Sequence, residues 1–269
     1  MISINITHAA HIPERQATMM RLRESLLSAA GVPYHEETHV GPHWGWAVKG
    51  WQWSAEQDVS HCLFLQDDVL CMPELVNVVK AMTSALPDAI IALHSPHPGA
   101  SLHCHQHRHP WYTSADNLVG TGYVLPRWVL QDFIEWRERE IADVKAITED
   151  TIITIYAMAH GRYIYHPVPS PIDHDHSVAT TNDGGTREGR DDGGAFIRPM
   201  LPWWKLSEQD PEYDRKPLST VEYWRPTSPI PHVGRTRRGN HWMLTTRLKR
   251  PLPLRAYQVE MDVTRMAPQ

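Results

Sequence analysis

Cysteine is scarce in this sequence, and its pattern excludes two kinds of site. The 269 residues include three cysteines, Cys62, Cys71 and Cys104, and none of them forms a CxxC pair. Such a set predicts neither a disulfide framework nor a zinc–thiolate site. The first residues lack the basic and long apolar stretches of a signal peptide, and no apolar run is long enough to span a bilayer. We therefore expect a cytoplasmic protein, in the host cytoplasm if the chain is viral.

Phenylalanine is also scarce, with 3 residues, whereas the chain has 18 histidines and 11 tryptophans. Hydrophobic residues make up 41% of the sequence, which is enough for a sizeable core. A net charge of −5 argues against a protein that coats nucleic acid over its whole surface, although one local basic patch is compatible with it. The length suits one large α/β domain, or one domain with an appendage.

Apolar runs alternate with helical patterns along the first part of the chain. The run Ile2–Ile6 predicts a strand, and from Pro13 a helix follows with apolar residues at helical spacing. The alternation continues to about His166 and predicts an α/β fold with a mixed sheet flanked by helices. Residues 94–117 are polar and rich in histidine, and we expect a loop there.

The composition changes after about residue 180. Residues 181–269 begin with a glycine-rich, charged stretch and continue with prolines and paired tryptophans, without clear periodicity. We therefore expect one domain over residues 1–180 and an irregular C-terminal extension over residues 181–269 that packs on it.

The most informative stretch is CLFLQDDVL, residues 62–70. A short apolar run ends at two adjacent aspartates, Asp67 and Asp68, as expected of a buried strand that ends at the carboxyl edge of a sheet. Ligands bind at that edge in α/β proteins. Two carboxylates there suit a hard divalent cation that also contacts phosphate oxygens. The alternative is an acidic turn before a helix that begins near Pro73.

Further segments follow in the order of the motifs of a known family. They are the first strand and its turn with Thr7, His8 and Arg15, the tryptophan-rich segment GWAVKGWQW with Lys49, the strand NLVGTGYVLPR with Gly122, the acidic helix start TEDTIITIYA and the turn PSPIDHDHS. With QDD they resemble the GT-A glycosyltransferases that carry a DXD-type motif, most nearly the small bacterial and viral nucleotide-sugar transferases with an (E/Q)DD motif. The resemblance spans residues 1–180 and implies a GT-A-like, Rossmann-type catalytic domain. Gln66 departs from the acid of many relatives.

The resemblance implies a metal-dependent transfer of a sugar from a nucleotide-diphosphate donor, with a UDP-sugar as the default. Mn²⁺ or Mg²⁺ would stabilise the leaving diphosphate. Asp68 is the expected direct metal ligand, with His174 as a returning ligand and His176 as the second choice, while Asp67 would contact the ribose or a metal-bound water. The other residues expected to bind the donor are Thr7, His8, Arg15, Lys49 and Gly122. Without the resemblance, the DHDHS stretch also fits an exposed polar turn and Lys49 a solvated lysine.

Glu149 and Asp150 lie in the first turn of a predicted helix. Acidic side chains there also stabilise a helix through its dipole, without a catalytic role. The resemblance implies that this acidic pair is catalytic, with Asp150 as the general base that removes a proton from the acceptor hydroxyl. Base catalysis of this kind would invert the anomeric carbon.

A basic stretch suggests an acceptor. Residues 235–255 contain seven Arg or Lys and no acid, a pattern that suits a phosphate backbone. A hydroxymethylated base in phage DNA is therefore one expected acceptor, and a cell-surface glycan is another. The alternative for this stretch is a solvated basic tail or a contact with the acidic main domain.

Two hypotheses of other classes stay open. In the first, the chain is a nucleic-acid-binding protein that uses residues 235–255 and has an inactive GT-A core. In the second, it is a histidine-rich metal hydrolase in which His103 and His105 bind zinc, since tracts such as residues 94–109 bind metals in some proteins. The other interpretation of that tract is a flexible loop over the donor or acceptor, with Trp111 as a sugar platform.

Overall fold

The computed structural model describes residues 1–27, 31–38, 46–95, 97–115, 118–141, 148–175, 178, 218–235 and 242–245. The strands are β1 Ile2–His8, β2 Tyr34–Thr38, β3 His61–Gln66, β4 Val69–Cys71, β5 Ile90–Ala92, β6 Trp111–Ser114, β7 Gly122–Pro126, β8 Ile164–Pro167, β9 Ile172–His174, β10 His232–Arg235 and β11 Trp242–Thr245. The helices are α1 Pro13–Leu27, α2 Trp46–Glu56, α3 Leu75–Ala85, α4 Pro98–Gln106, α5 Arg127–Glu140, α6 Glu149–Ala159 and α7 Val221–Trp224. None of these described helices combines the length and the hydropathy that a bilayer span requires.

Nine strands form one large mixed sheet, in the order β11-β10-β6-β8-β5-β7-β3-β1-β2. Strands β2 and β3 run parallel to β1 on its two sides. β7 lies antiparallel between β3 and β5, and β8 runs parallel to β5. The carboxyl ends of β1, β3, β5 and β8 therefore share one edge of the sheet with the amino end of β7, and we call it the carboxyl edge. The predicted α/β class, a mixed sheet flanked by helices, is confirmed.

Helices cover both faces of the central strands, and β3 shows how the sequence achieves this. Successive side chains of a strand point to opposite faces. Leu63 and Leu65 face the apolar core under α1 and α3. Phe64 faces the core under α2, α5 and α6, where Trp51 and Phe133 meet edge to face with ring centroids 4.8 Å apart. A strand buried on both faces requires an unbroken apolar run, which is what precedes the two aspartates.

A second, small sheet consists of β4 and β9, paired antiparallel with Val69 opposite His174. The chain passes directly from the large sheet into the small one, because only Asp67 and Asp68 separate β3 from β4. The backbone N–H of Asp175 donates to the carbonyl oxygen of Asp68 at 2.7 Å and extends the pairing. The small sheet thus returns residues 172–175 to the side of the two aspartates.

Residues 94–117 differ from the predicted loop. They contain helix α4, which begins at Pro98, and strand β6, whose residues Trp111–Ser114 are all buried. Proline is favoured in the first turn of a helix, and Trp, Tyr and Thr are common in strands. Local evidence for both elements was therefore present, but the histidines around it gave the segment a polar composition typical of loops.

Part of the C-terminal region belongs to the large sheet. β10 pairs with β6, and β11 pairs with β10. Trp224 of α7 is fully buried, and Trp111 donates from Nε1 to its carbonyl oxygen at 2.6 Å. Residues 218–235 therefore pack on the main sheet, partly as a regular strand that the irregular sequence pattern did not indicate. Most of residues 235–255, the predicted acceptor-binding stretch, lies outside the described residues.

Candidate functional site

The predicted aspartates lie where β3 ends, at the carboxyl edge. Thr7 of β1 is in register with Gln66 of β3, and the N–H of Asp67 donates to the carbonyl oxygen of Thr7 at 3.1 Å. This parallel pairing places His8 and the turn after β1 beside Asp67. Asp67 and Asp68 are almost completely buried, with 0% and 1% of their surface exposed. Two buried carboxylates need compensating partners.

Asp67 obtains its partners from the end of β1, the turn after it and the first turn of α1. Its Oδ2 lies 2.8 Å from His8 Nδ1 and accepts the N–H of Ala9 at 2.8 Å. Its Oδ1 accepts from Arg15 Nη1 at 2.5 Å. Both carboxylate oxygens thus have protein partners. In the structure Asp67 anchors His8 and Arg15, and its expected contact with a ribose or a metal-bound water stays a prediction.

Asp68 joins two elements that are distant in the sequence. Its Oδ2 lies 2.6 Å from Arg15 Nη2 and 3.1 Å from His174 Nε2. His174 reaches this place because β9 pairs with β4, directly after Asp68. The structure therefore brings Asp68 and His174 together, while His176 lies outside the described residues. We call this group the aspartate cluster; its members are His8, Arg15, Asp67, Asp68 and His174.

A further carboxylate lies beside Gln66, the residue before Asp67. Gln66 Nε2 donates to Glu149 Oε1 at 3.5 Å, and a Cβ at Gly120 would stand 3.3 Å from the same oxygen. Burial of its carboxyl group raises the pKa of Glu149 to about 8; the charge of Asp150 adds to this rise and the hydrogen bond from Gln66 opposes it. A carboxyl group with such a pKa exchanges protons near neutral pH.

Asp150, the residue predicted to be the base, turns towards its own helix. Its Oδ1 accepts the N–H of Thr151 at 2.7 Å and also accepts the hydroxyl of Thr148. These contacts stabilise the first turn of α6, which is the alternative role that the sequence allowed for acids at this position. The geometry therefore favours Glu149 over Asp150 as the candidate base.

Two other residues expected to bind the donor have different surroundings. The side chain of Lys49 on α2 is 64% exposed, and its Nζ lies 3.3 Å from Glu37 Oε1, as expected of a solvated surface lysine. A Cβ at Gly122 would stand 2.5 Å from Ile172 Cδ1 and 3.0 Å from Leu65 Cδ2. Close packing of β9 on the large sheet thus accounts for this glycine without a bound donor.

A second arginine close to the aspartates was not predicted from the sequence. Arg21, nearly two turns after Arg15 on α1, donates from Nη2 to Asp175 Oδ2 at 2.8 Å. Asp175 in turn follows His174 and is hydrogen-bonded through its backbone to Asp68. No local pattern shows that α1 meets the residue after β9, because this contact depends on the pairing of β4 with β9.

The side chains at Asp68 suit a divalent cation. Adjacent ligands of Mg²⁺ or Mn²⁺, each about 2.1 Å from the ion, stand about 3 Å apart in an octahedron, and Asp68 Oδ2 and His174 Nε2 are 3.1 Å apart. An imidazole beside a carboxylate favours Mn²⁺ over Mg²⁺. Within the described part of the chain, no group of three or more His, Cys, Asp or Glu side chains has the arrangement of a metal site. Asp68 and His174 could therefore supply two ligands, and substrate oxygens and water would supply the others.

Comparisons with known proteins give limited help. No protein-family model matches the sequence, and no curated protein matches it either. One similar solved structure is a glycosyltransferase involved in the glycosylation of the major capsid of PBCV-1; it is 13% identical, with 56% of this chain and 74% of that chain covered and a TM-score of 0.34. Another is the inositol-1-phosphate CTP transferase from T. maritima, which is 8% identical, with 63% and 89% covered and a TM-score of 0.30. At TM-scores this low, neither likeness bears on function, which has to be inferred from the residues of the site.

Proposed function

We propose that this chain is a metal-dependent glycosyltransferase that moves a sugar from a nucleoside diphosphate to an acceptor hydroxyl. The observation that carries the proposal is the meeting of Arg15, Asp68 and His174 at the carboxyl edge, where Asp68 Oδ2 lies within 3.1 Å of both partners. α/β proteins bind ligands at this edge. A pair of cation ligands beside an arginine suits the binding and neutralisation of a diphosphate.

The proposed site has two parts with different chemistry. Asp68 and His174 would hold the cation, which when bound supplies a Lewis acid for the leaving diphosphate. Glu149 is the proposed base that takes the proton of the acceptor hydroxyl. Gln66 contacts Glu149 and directly precedes Asp67, so the two parts are adjacent at the end of β3. A transfer between a donor and an acceptor requires such adjacency.

The donor and the acceptor are proposed on different grounds. A UDP-sugar is the proposed donor because the QDD motif and the segments around it resemble enzymes that use such donors. A hydroxyl of DNA is the proposed acceptor because residues 235–255 are basic. Direct attack by a hydroxyl that Glu149 deprotonates would invert the anomeric carbon.

Calorimetry of UDP binding with and without Mn²⁺ tests the cation site. We expect the wild-type protein to bind UDP in a Mn²⁺-dependent manner and Asp68→Asn to lose at least about tenfold of that affinity, since a cation ligand is removed. His174→Gln should weaken binding in the same direction. Asp58→Asn is the matched control, because Asp58 is a fully exposed aspartate close to the opposite end of β3.

Two results would contradict the proposal. One is wild-type binding of UDP that does not depend on Mn²⁺. The other is an Asp68→Asn protein, shown by circular dichroism to be folded, that binds UDP and Mn²⁺ as tightly as the Asp58→Asn control.

A further inference from the structure

We infer that Arg15 is an exchangeable counter-ion of the aspartate pair, an inference that rests on the proposed function. In the metal-free protein its guanidinium group neutralises Asp67 and Asp68. If a divalent cation bound at Asp68, the guanidinium would leave the two aspartate oxygens that it contacts and would be available to bind the diphosphate of the donor. Arg15 would thus exclude a cation from the empty site and bind the donor once the cation is present.

The contacts of the guanidinium group are the first support. Nη1 lies 2.5 Å from Asp67 Oδ1, and Nη2 lies 2.6 Å from Asp68 Oδ2. One planar group therefore contacts one oxygen of each aspartate. The same Asp68 oxygen lies 3.1 Å from His174 Nε2, the other proposed cation ligand. Arg15 and a cation would compete for this oxygen, because both require it as their partner.

Charge and burial are the second support. Arg15 is 4% exposed, and the two aspartates are 0% and 1% exposed. Buried charges interact strongly because little solvent screens them. Without the histidines, the two carboxylates and the guanidinium carry one net negative charge. A dication added beside the guanidinium would reverse that sign, whereas an arginine that moves to the incoming diphosphate keeps positive and negative groups paired. Guanidinium groups are well suited to phosphate oxygens.

Asp67 has partners other than Arg15. Asp67 keeps His8 and the N–H of Ala9 on its Oδ2 when Arg15 leaves its Oδ1. Arg15 lies in the first turn of α1, which begins at Pro13. The exchange would require rotation about the side-chain bonds of Arg15 and no movement of the helix backbone.

Binding of Mn²⁺ alone, measured by calorimetry without nucleotide, tests the inference. In Arg15→Gln we expect the Mn²⁺ affinity to rise about tenfold or more above wild type, because a competing buried charge is removed. At saturating Mn²⁺ we expect the UDP affinity of the same variant to fall about tenfold or more, because a phosphate contact is lost. Removal of a fixed ion pair would also raise the Mn²⁺ affinity, but a fixed arginine makes no phosphate contact, so the fall in UDP affinity is the result that indicates the exchange.

The controls separate the cation site from the arginine. Arg23→Gln removes another arginine of α1, which pairs with Glu36 of β2, and should leave both affinities within about twofold of wild type. The double variant Arg15→Gln, Asp68→Asn should lose the gained Mn²⁺ affinity, because the cation ligand is absent. Arg15→Lys serves if the glutamine variant does not fold. A single ammonium group lacks the planar fork that reaches both aspartates, so this variant should show a smaller rise in Mn²⁺ affinity.

The outcomes distinguish the inference from the proposed function. If neither wild type nor Arg15→Gln binds Mn²⁺, with or without UDP, the proposed function fails and the inference fails with it. If wild type binds Mn²⁺ and UDP through Asp68 but the Arg15 variants bind Mn²⁺ no more tightly, the proposed function stands and the inference is overturned.

Discussion

Two groups of buried histidines lie towards the carboxyl edge of the same sheet, and their partners differ. In the aspartate cluster, His8 and His174 contact carboxylates at 2.8 Å and 3.1 Å. A second group, which we call the neutral histidine cluster, consists of His97, which follows β5, and His166 of β8. Its polar and aromatic partners are Tyr112 and Ser114 of β6.

The rings of the neutral histidine cluster contact a hydroxyl group and other rings. His166 lies 2.8 Å from Ser114 Oγ through its Nε2 and stacks on Tyr112 with ring centroids 4.6 Å apart. The ring of His97 lies 6.0 Å from that of His166. Burial lowers the pKa of His97 to about 4, and burial together with the positive charges of its histidine neighbours lowers that of His166 well below the usual range. These rings are neutral core residues.

The comparison teaches that partners, and not the number of histidines, identify a site. Burial without an anion favours a neutral imidazole, which packs like any aromatic side chain. A carboxylate beside the imidazole instead provides two groups that bind cations. The segment with the most histidines, residues 94–109, supplies His97 to the core. The short QDD and DHD sequences supply Asp67, Asp68 and His174 to the aspartate cluster.

The largest effect is expected from removal of the Glu149 carboxylate, which lies next to the aspartate cluster through Gln66. In Glu149→Gln we expect kcat for sugar transfer to fall about 10²- to 10⁴-fold with the donor still bound, because the proposed base is lost. In the wild type, kcat should rise with pH through about 8, since the Glu149 carboxyl group must lose its proton before it can accept another. Steady-state kinetics over a pH series measures both effects.

Asp150→Asn is the matched control for this prediction. Its oxygen is held by Thr151 and Thr148 of its own helix, so we expect a much smaller loss of kcat. A larger loss in Asp150→Asn than in Glu149→Gln would restore Asp150 as the base, as the resemblance implied.

The second prediction concerns the neutral histidine cluster and pH. The folded pKa of His97 is about 4, below its usual value of 6.5, so between these values the unfolded chain binds a proton that the folded protein does not. The stability that this ring contributes is complete above pH 6.5 and is lost as the pH falls towards 4. From about pH 7.5 to about pH 5 we expect His97 alone to cost about 2 kcal/mol of unfolding free energy.

Urea unfolding at the two pH values measures this cost. His97→Gln removes the titrating ring and should flatten the dependence on pH, although the variant is expected to be less stable at both values. An equally steep dependence in the variant would show that other groups cause the acid sensitivity and that this histidine is not a neutral core residue.

The third prediction separates packing from ligand contact at two nearby glycines. Gly122→Ala should cost about 1–3 kcal/mol of unfolding free energy, because overpacking strains a core and the new Cβ would stand 2.5 Å from Ile172 Cδ1. Gly120→Ala has its nearest contact at 3.3 Å, with Glu149 Oε1, and should change kcat more than stability. Chemical denaturation and kinetics of both variants test this. Equal stability losses would show that the two positions do not differ in packing.

The smallest effect is expected at the surface histidines of α4. His103 and His107 lie one turn apart with ring centroids 4.3 Å from each other, and His107 is exposed. Burial lowers the pKa of His103, and the charges of His107 and His109 lower it further. Replacement of both rings by glutamine should change the unfolding free energy by no more than about 0.5 kcal/mol at pH 7.5, as at most surface positions. A loss of several times that size would contradict this prediction, and tightly bound zinc in the purified wild-type protein would support the histidine-rich hydrolase hypothesis.

Much of the fold was predictable from local patterns. The apolar run of β3 and the acids that end it marked a buried strand, and Gly161, with a φ of 64°, follows α6 at the position where a glycine ends many helices. Residues 94–117 were mistaken for a loop because their composition outweighed the proline and aromatic residues that mark α4 and β6. The strand β10 was also missed, since its pairing with β6 joins segments more than a hundred residues apart.

For the candidate site, the sequence predicted which residues would lie together better than it predicted their contacts. Asp68 and His174 were expected together and lie 3.1 Å apart. The contacts of Arg15 with both aspartates, and of Glu149 with Gln66, were not expected in that form. Both sets of contacts depend on how the end of β3 packs against another element. The local sequence around these residues does not determine that packing.

By itself the sequence determined that a strand buried on both faces stops at two aspartates, because an unbroken apolar run cannot continue into charged residues. Only the tertiary structure decided what those aspartates contact. The parallel pairing of β1 with β3 places His8 beside Asp67, and the pairing of β4 with β9 brings His174 to Asp68. Buried carboxylates need hydrogen-bonding or charged partners. Here strand pairing between residues far apart in the sequence brings those partners to the aspartates.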